Sequence, residues 1–275
     1  MADCRPATGE APPQAAGTPS HVNTEEYEKM YSLEDTYWWF QGRMHIIEAI
    51  LAEFMTDRPR AGRVLDLGCG TGLMLERLAK FRPAGLDFSP LSLQFCRQRG
   101  ARNLMRGDVT ALPLEDGSMD LVLALDLIEH VEHDDAMLVE VERVLRPGGW
   151  FMASVPAHQW LWSDHDVSLH HFRRYSYDGF KARLVEAGLE PVKYSFGITL
   201  SFLPVVVFRM MQRLWQSSIA MPNESRPKTH LIPLPWFVNT PLIWALRAEG
   251  AALRRMNLPV GVSLLALCRK PTHSR

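Results

Sequence analysis

The stretch Asp66-Leu67-Gly68-Cys69-Gly70-Thr71-Gly72 decides the fold of this chain. It follows a short apolar run at residues 63–67 and precedes a segment with helical spacing at residues 73–81. Glycines permit a tight turn and let the backbone approach a ligand, because they lack a Cβ atom. The N-terminus of the following helix offers free N–H groups to an anionic part of that ligand. The sequence therefore predicts a strand, a ligand-binding loop and a helix in succession.

The same alternation continues along the chain. Strands are predicted at residues 63–67, 84–88, 103–106, 120–125, 150–155, 191–194 and 261–268. Helices are predicted at residues 73–81, 91–99, 136–145, 177–187, 199–215 and 237–256. The continuous apolar run at 120–125 is typical of a strand buried on both faces. We expect an α/β fold with a parallel sheet covered by helices on both faces.

Acidic residues stand where successive predicted strands end. Asp87 ends the second strand, Asp108 follows the third and Asp126 follows the fourth. Ligands of open α/β sheets bind at this carboxyl edge, where a carboxylate can accept hydrogen bonds from ribose hydroxyls. A nicotinamide dinucleotide would use G-x-G-x-x-G, whereas here the third glycine comes one residue early. These observations favour a nucleoside ligand, and a nicotinamide enzyme is the alternative.

These segments together resemble the class I methyltransferases that use S-adenosylmethionine (SAM), in the broad group that includes ubiquinone-biosynthesis O-methyltransferases. The resemblance is carried by DLGCGTG (66–72), GLDFS (85–89), GDVTALPLEDGSMDLVLALDLIEHV (107–131) and LRPGG (145–149). It implies a Rossmann-like, seven-stranded, mostly parallel sheet whose last strand is antiparallel. It also implies SAM as cofactor, and a SAM site formed by Asp66, Gly68, Cys69, Gly70, Gly72, Asp87, Phe88, Asp108, Val109, Leu125, Asp126 and His130.

An aromatic cluster followed by arginine, Tyr37-Trp38-Trp39-Phe40-Gln41-Gly42-Arg43, is also similar to segments of bacterial methyltransferases. Arginine can bind a carboxylate through two parallel hydrogen bonds. We therefore include Arg43 in the expected cofactor site. The alternative is an aromatic helix that packs on the core and carries a surface arginine.

Four parts of the chain follow from composition. Residues 1–22, rich in Ala, Pro, Gly and Thr, are predicted to be a disordered tail. Residues 23–197 form the expected SAM-binding core with an N-terminal helical segment, residues 198–259 a helical cap, and residues 260–275 the last core strand and a tail. Residues 198–275 hold ten Lys and Arg against two Asp and Glu, whereas residues 1–197 hold 20 against 29. A basic cap on an acidic body indicates an anionic substrate or surface.

Two histidines are candidate general bases for methyl transfer to a hydroxyl group. His165 lies in Ser163-Asp164-His165-Asp166, and His171 lies in the following segment. A carboxylate beside a histidine can orient it and make it more basic. Both segments follow the fifth strand, so we propose His165 or His171 as the base. Hydrogen bonding within the loop or contact with the acceptor is the alternative role.

Asp126, Glu129 and His130 raise the question of a metal ion, because carboxylates and imidazole can ligate a divalent cation. Ubiquinone O-methyltransferases carry a similar Glu-x-x-Glu-His stretch. Related methyltransferases that use no metal show the same Glu-His pair. We therefore expect no metal.

The sequence as a whole predicts an enzyme that methylates a small-molecule or lipid-like acceptor, with oxygen as the preferred atom. The alternatives are a peptide or protein methyltransferase and a SAM-binding regulator without catalysis. A net charge of −1 does not favour nucleic acid as a partner. The four cysteines form no C-x-x-C pair, so a cytoplasmic protein is expected. The basic cap could contact a membrane peripherally.

Overall fold

The computed structural model describes residues 24–55, 62–216 and 234–272. Its centre is a seven-stranded sheet in the order β3-β2-β1-β4-β5-β7-β6. Strands β1 to β5 are parallel, and β7 runs antiparallel between β5 and β6. The strands are β1 (Val64–Leu67), β2 (Ala84–Asp87), β3 (Asn103–Arg106), β4 (Met119–Leu125), β5 (Leu145–Pro156), β6 (Glu190–Gly197) and β7 (Ser263–Arg269).

The helices cover this sheet. They are α1 (Thr24–Leu33), α2 (Trp38–Met55), α3 (Leu73–Arg77), α4 (Pro90–Gln98), α5 (Asp134–Val144), α6 (Asp164–Ser168), α7 (Tyr177–Glu186), α8 (Phe202–Gln216) and α9 (Trp236–Leu253). The seven-stranded, mostly parallel α/β fold expected from the sequence is confirmed. The predicted tail at residues 1–22 lies outside the described residues.

Alternating side chains of the strands form two cores, one on each face of the sheet. On one face, the first core, Val122 and Phe151 pack with Met137 of α5 and Phe180 of α7. On the other face, the second core, Leu121, Leu123 and Met152 belong to a cluster with side chains of α2, α3 and α9. Burial on both faces explains why β4 reads as a continuous apolar run.

Helix α9 lies parallel to α2. The Trp38 N–H donates to Asn239 Oδ1 at 2.8 Å, Gly42 faces Leu246, and Gly250 faces the backbone of Ile46. A Cβ added at Gly42 would lie 2.7 Å from the Leu246 Cβ, so only glycine permits this approach. The segment 198–259 thus contributes α9 to the layer that carries Arg43. Its function as a cap over the acceptor stays a prediction.

Several boundaries differ from those predicted. The helix expected at residues 73–81 ends as an α-helix at Arg77 and continues as a 3-10 turn at Ala79–Phe81. The helix predicted at residues 136–145 ends at Val144, and β5, predicted to begin at residue 150, already begins at Leu145. Residues 158–176, between a predicted strand and a predicted helix, contain the short helix α6, which was not predicted. Among the described helices, none is long and apolar enough to cross a bilayer.

Candidate active site

The glycine loop between β1 and α3 has a backbone that requires glycine. Gly68, Gly70 and Gly72 have φ values of 61°, 53° and 88°. A Cβ at Gly68 would lie 2.6 Å from Leu127 Cδ1, and one at Gly72 would lie 3.0 Å from the Cys96 Cα. The loop therefore lies tightly between the end of β4 and helix α4, with its backbone turned toward the carboxyl edge of the sheet.

Two buried carboxyl groups, Asp66 and Asp87, flank this loop. Asp87 Oδ2 accepts the Gly70 N–H at 3.0 Å, and Oδ1 accepts the Ser89 N–H at 2.8 Å. Burial raises the pKa of both groups, and that of Asp66 rises to about 8 because the charge of Asp87 adds to the effect. Two acids held in this way form a site that favours a cationic ligand.

The remaining residues expected around the nucleoside lie nearby or support the loop. Asp108 is exposed, and its Oδ1 accepts the N–H and the hydroxyl of Thr110, both at 2.8 Å. Val109 packs against the first core, and the exposed Phe88 ring lies under the Arg106 guanidinium. Cys69 is buried, and its Sγ lies 3.6 Å from that of Cys96, which makes it a packing residue.

Arg43 and Asp126 form an ion pair at the end of β4. Asp126 takes a left-handed conformation with φ 51°, and its Oδ1 accepts the Ser154 hydroxyl at 2.7 Å. Leu125, just before it, packs against the second core. The sequence assigned Arg43 to the cofactor carboxylate, but here its guanidinium is held by Asp126. Its contact with the cofactor stays a prediction.

Helix α1 covers the glycine loop, which the sequence did not predict. Glu34 is buried, and its two oxygens accept the Thr71 hydroxyl at 2.5 Å and the Arg99 guanidinium at 2.8 Å. Tyr27 of the same helix is buried close to Asp87. Burial raises the pKa of its hydroxyl, and the negative charge of Asp87 raises it further. Buried charged groups in proteins are normally paired, so these contacts fix α1 over the site.

Helix α6 carries Asp166, and His171 lies in the loop that follows this helix. A capping box between Ser163 and Asp166 begins the helix, which places the Asp166 side chain in the interior. Asp166 Oδ1 lies 3.0 Å from His171 Nδ1 and accepts the Arg174 Nε–H at 2.6 Å. Burial alone would raise the pKa of Asp166, but the bonds from His171 and Arg174 outweigh it and lower the pKa. Asp166 is therefore ionised and orients His171.

His165 lies within α6 and beside Asp166 in the sequence, but its side chain is placed differently from that of His171. Its side chain is exposed, whereas that of His171 is 8% exposed. Of the two candidate bases, only His171 makes a hydrogen bond to Asp166 among the bonds that the structure describes. The geometry therefore favours His171 over His165.

Glu129 and His130 lie beside His171. The His130 and His171 rings meet edge to face with centroids 4.6 Å apart. Burial lowers the pKa of His130 to about 3, and burial together with the Asp126 charge raises that of Glu129 well above its usual value. Donor atoms of Glu129, His130 and His171 lie within 4.8 Å of one another, a spacing that a metal ion could use. The sequence pattern suggested Asp126 as the third candidate ligand, whereas the structure brings His171 to that place.

Four non-glycine residues near this edge have left-handed backbones, namely Asp126, His158, His170 and Ile198. This conformation is rare, and for a β-branched residue such as Ile198 it is a true outlier. The His158 ring stacks on Phe196 at 5.1 Å. Such strain persists only where the surrounding structure imposes it, and it concentrates at functional sites.

Residues 65–153 match a family model described as a methyltransferase domain. This part of the chain is a class I methyltransferase domain. The family identity predicted from the glycine loop and the strand-end acids is thereby confirmed, and the cofactor of the family is SAM. The match covers the loop, β1 to β4 and most of β5, which carry the predicted nucleoside site.

Two relatives from Mycolicibacterium smegmatis share the methyltransferase domain. A probable S-adenosylmethionine-dependent methyltransferase is 33% identical over 126 residues, which are 45% of this chain and 47% of that protein. A fatty-acid O-methyltransferase is 41% identical over 97 residues, 33% of this chain and 35% of the relative. The chain thus spans less than half the length of either relative.

A solved structure extends the likeness in fold to almost the whole chain. A SAM-dependent methyltransferase from Thermotoga maritima aligns with a TM-score of 0.55 at 18% identity, covering 90% of this chain and 95% of the other. At this identity the likeness concerns the fold alone.

The residues of the methyltransferase domain fit SAM. Its glycine loop has no room for side chains at Gly68 or Gly72, which would collide with Leu127 and Cys96, so the loop is bare backbone at these positions. Beside the loop, Asp66 and Asp87 are buried acids with raised pKa values, which suits a ligand with a positively charged ammonium and sulfonium.

Proposed function

We propose that this protein transfers a methyl group from SAM to a hydroxyl oxygen of a small-molecule or lipid-like acceptor, with His171 as general base. The observation that carries the proposal is the Asp166–His171 pair, which lies beside Glu129 and His130 after β4. The glycine loop follows the neighbouring strand β1. Cofactor and base would thus meet at the carboxyl edge of one sheet.

The cofactor would be held by residues of the first half of the chain. Asp66 would face the ammonium group, the loop from Gly68 to Gly72 the methionine part, and Asp87 the ribose hydroxyls. Each Asp87 oxygen accepts one backbone N–H and retains capacity for a further hydrogen bond. When bound, SAM supplies a methyl group already activated by its sulfonium.

The protein's own contribution is then alignment and proton removal. The ionised Asp166 accepts the His171 Nδ1–H, which leaves Nε2 as the nitrogen able to take a proton. Nε2 of His171 would take the proton of the acceptor hydroxyl as that oxygen receives the methyl group. Arg174 also binds Asp166 and keeps it ionised.

The preference for oxygen and for a lipid-like acceptor is supported by the fatty-acid O-methyltransferase, which is 41% identical over the aligned segment. It is also supported by the apolar side chains near His158, where Phe196 and Phe202 pack on the imidazole. Apolar side chains of this kind suit an acceptor with a hydrocarbon part.

The test is transfer of radiolabelled methyl from SAM into an extract of the source organism, separated into lipid, small-molecule, peptide and nucleic-acid fractions. Wild type should label the lipid or small-molecule fraction. His171→Ala should lower transfer about 100-fold or more, the usual contribution of a general base. His165→Ala, in the adjacent helix α6, is the matched control and should leave transfer within a few fold.

SAM affinity separates catalysis from binding. His171→Ala should bind SAM as wild type does, because His171 would act on the acceptor. Equal transfer by the two histidine variants would exclude His171 as base. Label in the peptide fraction would reassign the acceptor class, and SAM binding without any transfer would favour a regulator.

A further inference from the structure

Large exposed apolar side chains gather on two helices, α8 and the first half of α9. On α8 they are Leu203, Val207, Phe208, Met210 and Met211, and on α9 they are Trp236, Phe237 and Trp244. Trp236 is 78% exposed and Leu203 is 68% exposed. Exposed apolar side chains in this number normally mark an interaction site.

Helix α8 has no polar outer face over its first ten residues. Phe202 and Val205 pack toward the second core, so the helix is attached along one side. The remaining positions to Met211 include Leu, Pro, Val, Phe and Met, and Arg209 is the single charged residue among positions 202–211. A helix with so little polar surface is normally enclosed by protein or lipid.

The exposed charged side chains of α9 and of the residues just after it are positive. Arg247, Arg254 and Arg255 are exposed, whereas the acid of α9, Glu249, accepts the backbone N–H groups of Thr199 and Leu200. The Arg247 guanidinium lies over the Trp244 ring at 5.3 Å. Tryptophan and arginine with an apolar surface are typical of the water–lipid boundary, and the excess of arginine complements anionic headgroups.

Helix α8 begins beside His158, one of the residues with a left-handed backbone near the carboxyl edge of the sheet. Phe202, the first residue of α8, packs on His158 with ring centroids 5.4 Å apart and meets Trp160 edge to face at 6.3 Å. Trp160 and Leu200 are themselves about half exposed, so exposed apolar side chains also lie beside the start of α8.

We propose that the outer face of α8 and the first half of α9 bind the surface of an anionic lipid bilayer. The helices would lie in the interface with Leu203, Val207 and Met210 among the acyl chains and the arginines among the headgroups. Docking itself does not depend on catalysis. That it brings a lipid-like acceptor to His171 rests on the proposed function.

The test is flotation of the purified protein with vesicles of phosphatidylcholine alone or of equimolar phosphatidylcholine and phosphatidylglycerol, in low and high salt. Wild type should bind the anionic vesicles at low salt and less at high salt, because salt screens the arginines. The variant L203E/M210E should partition about tenfold less, since each substitution removes apolar burial and adds a negative charge. The matched control V139E/V185E changes exposed valines of α5 and α7 by the same charge and should bind like wild type.

Circular dichroism and SAM affinity check that each variant is folded. Because flotation does not measure methyl transfer, the docking proposal can fail or succeed separately from the proposed function. Equal vesicle binding by the two double variants, or no binding of wild type to anionic vesicles at low salt, would overturn the proposal. Sedimentation that shows a wild-type dimer, dissociated by L203E/M210E, without vesicle binding would also overturn it and assign the surface to a second copy of the chain.

Discussion

The carboxyl of Asp66 is buried beside Asp87, and its pKa is raised from 3.8 to about 8. Because this pKa exceeds that of the unfolded chain, the folded protein holds an extra proton between these values. The contribution of Asp66 to stability therefore declines as pH rises through that window. A bound cation would reverse the situation, because it favours the ionised carboxylate.

We therefore predict that SAM binding at pH 7 releases a proton from Asp66. Calorimetry in buffers of different ionisation enthalpy measures this release. Asp66→Asn should bind SAM more weakly and release fewer protons. Asp108→Asn, at an exposed acid of the same predicted site, should weaken binding without changing the proton count. Unchanged proton release in Asp66→Asn would show that another group titrates.

At the scale of elements, Gly42 lies where the N-terminal helix α2 packs against the C-terminal helix α9. It lets α9 approach α2, and α2 carries Arg43 of the candidate site. An alanine gains about 1 kcal/mol of helix propensity over glycine. Overpacking a core costs about 1–3 kcal/mol, and here the new Cβ meets the Leu246 Cβ close to its backbone.

Gly42→Ala is therefore predicted to lower the free energy of unfolding by about 1–3 kcal/mol in urea titration. Combining it with Leu246→Ala should destabilise by less than the sum of the two single substitutions, because the second change creates space for the first. Additive effects would mean that the helices separate freely.

A second element, α1, is predicted to hold the cofactor in place. Glu34→Gln removes the charge that binds Thr71 and Arg99, and hydrogen bonds to charged groups contribute about 1.5–3 kcal/mol each. We expect SAM to dissociate about tenfold faster in stopped-flow measurements, because α1 separates from the glycine loop more often.

The control for this prediction is Asp35→Asn. Asp35 binds the same arginine but is 56% exposed, so its loss should change SAM dissociation less than twofold, as expected for a surface ion pair. Equal effects of the two variants would indicate that the charge of Arg99, and not the attachment of α1, governs release.

For the whole molecule, SAM binding is predicted to stabilise the fold. At 100 times its dissociation constant, a ligand contributes about 2.7 kcal/mol. For a chain of this size, this corresponds to a rise in Tm of about 5–10 °C in a thermal scan. NAD at the same concentration should give no rise, because the loop has G-x-G-x-G spacing. A larger shift with NAD would contradict the cofactor assignment.

The sheet and the glycine loop could be predicted because local pattern determines them. Residues 103–106, for example, form strand β3 with the bounds that the sequence predicts. The distinction between His165 and His171 could not be predicted. It depends on a capping box that turns Asp166 inward, and sequence proximity places both histidines near that acid. The cover formed by α1 depends on Glu34 meeting Thr71 and Arg99, residues 37 and 65 positions away.

The position of β7 has a consequence for synthesis on the ribosome. β5 and β6 are both translated before β7, yet β7 lies between them and pairs with each along its length. A nascent chain that has not yet released residues 263–269 holds β5 with one unpaired edge and β6 with no neighbour. Exposed edges of this kind promote aggregation. Ribosome stalling upstream of β7 should therefore leave this chain dependent on chaperones, whereas the five parallel strands can already assemble.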